Sequence, residues 1–119
     1  MADTKSNMDL VGATRMEGDA AIAQIRGEID LHNSPDMRSA IFELLAKTVV
    51  KRLILNLSQV PYMDSSAIAV LVEALQKLRP TGGRVLLVEL QPRVKGLLQI
   101  ARLDSIFILA DTEKQALTM

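Results

Sequence analysis

Hydrophobic residues along this chain fall into two patterns that take turns. Leu53-Ile54-Leu55-Asn56-Leu57 and Arg84-Val85-Leu86-Leu87-Val88 are nearly unbroken apolar runs. Runs of that length read as strands covered on both faces. Around them, apolar residues return every three or four positions. Met37, Ile41, Leu44, Leu45 and Thr48 predict a helix that opens at Asn33-Ser34-Pro35-Asp36. Ser34 is expected to cap it, with Pro35 at the first helical position and Asp36 at the positive end. Val70, Leu71, Leu75 and Leu78 predict a helix over about 65–79, stopped by Pro80-Thr81-Gly82-Gly83. Val94, Leu97, Leu98 and Ala101 predict a third helix, opened by Gln91-Pro92. Ile106-Phe107-Ile108-Leu109 reads as a short strand, and Asp111-Thr112 as the cap of a last turn or two reaching Leu117.

Residues 1–7 are polar and predict a flexible tail, leaving 8–119 as one domain. Residues 8–15 and 20–26 predict two strands, and Glu17-Gly18-Asp19 between them is turn chemistry. The expected fold class is therefore α/β. A mixed sheet begins with an antiparallel hairpin, continues with parallel strands through right-handed crossovers, and packs against helices. In such sheets chemistry gathers where strand ends meet helix starts. Residues 58–66 form such a junction.

Composition narrows the choices. Fourteen acidic residues balance fourteen basic ones, and aromatics make up only 3% of 119 residues. A net field toward nucleic acid and a stacking surface for bases are both missing, so no direct nucleic-acid partner is expected. The chain has no cysteine. That removes disulfides and thiolate chemistry and agrees with a cytoplasmic protein. No apolar run approaches the roughly 20 residues of a membrane span, so no membrane insertion is expected.

Tyr62-Met63-Asp64-Ser65-Ser66-Ala67-Ile68 carries the richest chemistry. Two hydroxyls and a carboxylate sit at a helix start, where backbone N–H groups lack partners and the dipole is positive. The plainest reading is a cap, worth about 1 kcal/mol. The same position can hold a phosphate, including one attached to a serine. Asp64 would repel that phosphate while the helix end attracts it, a balance suited to a reversible switch. Gly27-Glu28-Ile29-Asp30 leaves the second strand, 20–26. Its carboxylates are either solvated or, if the strands are neighbours, close to Ser65. A hydrolase built from Ser65 or Ser66 with His32 and Asp30 lacks the glycines that flank a nucleophile elbow. One histidine without cysteine argues against a metal site. Thr81-Gly82-Gly83-Arg84 is a turn, and Lys47, Lys51 and Arg52 read as a solvated face. Met37 and Met63 read as packing residues, though an exposed methionine could meet a partner.

Over about residues 8–117 the chain resembles the STAS domain family, and within it the bacterial anti-sigma factor antagonists. Gly27-Glu28-Ile29-Asp30, the strand 53–57 with Val60 and Tyr62-Met63-Asp64-Ser65-Ser66, and Gly82-Gly83-Arg84-Val85-Leu86-Leu87 carry the resemblance. It implies that Ser65 accepts phosphate from a serine kinase that is also the anti-sigma factor. The unphosphorylated form would bind that kinase and free a sigma factor, and a phosphatase would restore it. Asp30, Met63, Asp64, Ser66 and Ala67 would form the phosphorylation loop and partner-binding surface. The protein itself would be no enzyme and need no cofactor. A second role found in the family is an unmodified subunit of a lipid-transport ABC system or a stress-signalling assembly. This chain departs from the family at Ala67 and Ala69, where glycines are usual. Alanine favours helix by about 1 kcal/mol per position, and two extra methyl groups are expected to crowd a partner's approach.

Overall fold

The computed structural model describes residues 10–119. The expected tail over 1–7 and the first residues of the expected strand 8–15 lie outside the described residues. Five strands form one sheet: β1 (Val11–Glu17), β2 (Ala20–Arg26), β3 (Arg52–Gln59), β4 (Arg84–Val88) and β5 (Ile108–Ala110). They lie side by side in chain order. β1 and β2 form the antiparallel hairpin, and every later pairing is parallel. The crossovers carry α1 (Ser34–Lys47), α2 (Ser65–Leu78) and α3 (Pro92–Ile100), and α4 (Glu113–Leu117) follows β5.

The unbroken apolar runs follow from burial on two sides. Leu53, Leu55, Leu57, Val85 and Leu87 meet Met37, Ile41 and Leu45 of α1, Val70, Leu71 and Leu75 of α2, and Leu98 of α3. Ile54, Leu86 and Val88 point the other way, toward Ala116 of α4. Among the described residues, one face is therefore roofed by three helices and the other by a single five-residue helix.

Three expectations need correction. The last strand begins at Ile108, not Ile106. The amides of Ile106 and Phe107 both bond the carbonyl of Leu103, at 3.1 and 3.3 Å, so that segment closes a turn and Phe107 drops into the core. Thr48 ends α1 in extended backbone and lies off its buried stripe. Arg52 is not part of a solvated face. Its guanidinium bonds Asp19 at 3.0 Å and the Leu117 carbonyl at 2.6 Å, tying α4 to the sheet.

Candidate functional site

β2 and β3 run parallel, so the loops that leave them emerge at the same edge. Gly27 turns the chain away from β2 with φ +82, a conformation natural to glycine. Its N–H bonds the Gln59 carbonyl at 2.8 Å. Two residues later the loops are joined again. Ile29 N–H donates to the Tyr62 carbonyl at 3.1 Å, and Asp64 N–H to the Ile29 carbonyl at 3.0 Å. Ile29 and Met63 face each other in this isolated parallel bridge, and both are wholly buried. They pin the two loops to the core from below.

Asp64 stands at the centre of what lies above. It is the N-cap of α2. Its Oδ1 accepts from Ser66 N–H at 2.9 Å, the Ser66 hydroxyl at 2.5 Å and Ala67 N–H at 3.4 Å. Its Oδ2 reaches across to accept from Leu31 N–H at 3.1 Å. One carboxylate thus caps the helix and bridges the loops. These donors favour the charged form, so Asp64 titrates below its ordinary value of 3.8. The Ser66 hydroxyl is the largest single cause, desolvation opposes it, and the amides of Ser66, Ala67 and Leu31 add to it.

The two adjacent serines differ sharply. Ser66 is half-buried, and its hydroxyl is committed to Asp64. Ser65, the first residue of α2, is exposed. Its hydroxyl makes no hydrogen bond among the described residues. Only Ser65 therefore offers an accessible, uncommitted oxygen at the positive end of a 14-residue helix.

Asp30 lies in the neighbouring loop, and its carboxylate is turned onto its own chain. Oδ1 accepts from His32 N–H at 2.9 Å and Asn33 N–H at 3.2 Å. Asn33 in turn accepts from Asp30 N–H at 2.8 Å and donates to the Glu28 carbonyl at 2.9 Å. The Asp30 carboxylate and His32 imidazole share no hydrogen bond, so no charge-relay pair is assembled among the described residues. Nor does any group of three potential ligands there come close enough to hold a metal ion. On the far rim, the Arg93 guanidinium lies 4.5 Å from the centre of the half-buried Tyr62 ring.

Met63 and Ala67, expected on the partner-binding surface, have no exposed area. Both pack in the core beneath the loop, so neither can touch a partner in this conformation. Of the two alanines expected to crowd a partner, Ala67 therefore turns its methyl inward, and Ala69 is the one at the surface. Ser34 does not cap α1. Asn33 is the N-cap residue, makes no side-chain cap bond, and Ser34 is the first helical residue. Sequence reasoning passed over Leu31, which is 76% exposed beside Asp64. The available signal was a leucine between Asp30 and His32, in a turn too short to fold it back inward.

Comparison with known proteins agrees with this architecture. The STAS domain model matches residues 13–116. The chain is 29% identical to the anti-sigma F factor antagonist of Paenibacillus polymyxa, covering 82% of this chain and 83% of that protein. It is 31% identical to the anti-sigma-B factor antagonist of Listeria monocytogenes, covering 75% and 77% respectively. The crystal structure of an anti-sigma factor antagonist from Mycobacterium paratuberculosis superposes with a TM-score of 0.80 at 25% identity, over 92% of this chain and 93% of that one.

Proposed function

The chain belongs to the STAS domain family, and on that footing we propose that it is an anti-sigma factor antagonist whose docking is switched by phosphate on Ser65. The names of its relatives support the antagonist role. They name different sigma factors, so the pathway is left unspecified. The observation that carries the switch is the contrast at the start of α2. Ser65 is exposed and uncommitted, whereas Ser66 is spent on Asp64.

The partner is an anti-sigma factor with serine-kinase activity, and the protein is its ligand and substrate, not a catalyst. In the transfer, Ser65 Oγ forms a bond to the γ-phosphorus of ATP as the bond to ADP breaks. The kinase's base takes the hydroxyl proton. The product carries nearly two more negative charges. They sit next to Asp64, which is already ionised at neutral pH. The helix end attracts the phosphate, so the fold tolerates it, while a partner closing over the site must desolvate an uncompensated dianion. A phosphatase removes the phosphate and restores binding. The cytoplasm is where such a partner would be met.

The test is incubation with the purified kinase and ATP, followed by peptide mass spectrometry. One phosphate is expected on Ser65 and none in Ser65→Ala. Phosphate that persists elsewhere on the loop in Ser65→Ala refutes the assignment. Ser65→Glu is expected to bind the kinase about 2–5 kcal/mol more weakly than the unmodified protein. Equal affinities would refute the switch.

A further inference from the structure

We propose that Leu31 is a preformed apolar anchor of the partner-docking face, inserted into an apolar pocket of the same partner that meets Ser65. This deepens the switch reading and rests on it for the partner's identity.

Single exposed aliphatic residues are ordinary, and exposure alone says nothing. Val49 and Ile100 are as exposed as Leu31. Leu31 differs in how it is held and where. The turn that carries it is closed by Asp30 Oδ1 on the amides of His32 and Asn33 and by the Asn33 side chain on Asp30 N–H and the Glu28 carbonyl. Its own amide is fixed by Asp64 Oδ2. The anchor of that bond is the residue immediately before Ser65. A rigid network thus displays a leucine to solvent on the loop that is zipped to the phosphorylation loop through Ile29 and Met63.

With its backbone already held, Leu31 has only its side-chain rotamers left to order on docking, so much of its transfer free energy survives as affinity. Such residues, seated near the middle of an interface and ringed by polar groups, dominate binding. Here the ring is supplied by Asp30, His32 and Ser65, all exposed. The matching partner feature is an aliphatic-lined pocket adjoining the kinase's phosphate-transfer centre.

The experiment compares affinity for the purified anti-sigma kinase, without ATP, across the full-length wild type, Leu31→Ser, Val49→Ser and Ser65→Glu. Circular dichroism and melting confirm that each is folded. Leu31→Ser is expected to weaken binding by roughly tenfold or more. Val49→Ser, an equally exposed aliphatic at the other end of the sheet, should stay within twofold. If Ser65→Glu weakens binding and Leu31→Ser does not, the anchor is refuted and the switch stands. If Leu31→Ser weakens binding and Ser65→Glu does not, the anchor stands and the switch falls. Equal losses in Leu31→Ser and Val49→Ser would also overturn the anchor, since the effect would not belong to this face.

Discussion

Two helix starts in this molecule look alike in sequence and behave differently. α1 opens Asn33-Ser34-Pro35, and α2 opens Asp64-Ser65-Ser66. At α1 the polar N-cap residue turns its side chain away to close the preceding turn, and Ser34 is only 4% exposed. At α2 the N-cap carboxylate grips the helix amides and leaves Ser65 in solvent. The chain reaches Ser34 from the exposed Leu31 and His32 and turns inward, whereas it reaches Ser65 from the buried Met63 and turns outward. The entry of the loop decides this, not the helix.

The largest effect that could break the contrast is chemical. A kinase that modifies Ser65 should leave Ser34 untouched, so Ser34→Ala should take up phosphate to the same extent as wild type. Phosphate mapped to Ser34 in the folded protein would end the distinction. Next comes the support beneath the α2 loop. Met63→Ala should cost about 2–5 kcal/mol in urea unfolding, because it empties a fully buried site that pins both loops. A cost below about 1 kcal/mol would mean the pin is not structural.

Smaller effects sharpen the comparison. Asn33→Ala removes two hydrogen bonds of the turn, about 1 kcal/mol each, without uncapping α1. Amide exchange should rise at Asp30 and not in the first turn of α1. Asp64→Ala should do the reverse at α2, speeding exchange at Ser66, Ala67 and Leu31. Exchange unchanged at Leu31 would break the bridge between the loops.

The smallest effect is set by pH. Asp64 and Glu113 both titrate below their ordinary values of 3.8 and 4.5. Glu113 is lowered chiefly by the Asn56 side chain, with Arg15 adding to it. A carboxylate depressed in the folded state stabilises it fully above the unfolded value. That contribution fades as pH falls through the folded value. Stability should therefore be level near neutrality and decline below about pH 4.5. The decline should be shallower in Glu113→Gln.

Much of this was legible in the residues. Aliphatic runs and helical spacing set the order of strands and helices, because burial on one or two faces writes directly into hydropathy. Asp-Ser-Ser before an apolar helix pointed to the start of α2. What could not be read were choices between equivalent partners. Asn33 could have capped α1, but two backbone groups of the preceding turn claimed its side chain. Arg52 looked solvated because its partners, Asp19 and Leu117, lie far off in sequence. Leu31 was missed because hydropathy counts every leucine as core. Met63 was legible as a packing residue, but the family resemblance also put it and Ala67 in the partner-binding set, because the motif does not say which of its members point inward.

The strictly sequential order of the strands bears on how the chain is made. Each strand finds its neighbour already synthesised, so pairing can advance in step with translation. The side carrying Ile22, Ile54 and Leu86 has no such luck. Among the described residues, the helix that covers it follows the fifth strand. A nascent chain still tethered to the ribosome therefore shows a sticky aliphatic patch, and a stalled or truncated product would be an early client for chaperones.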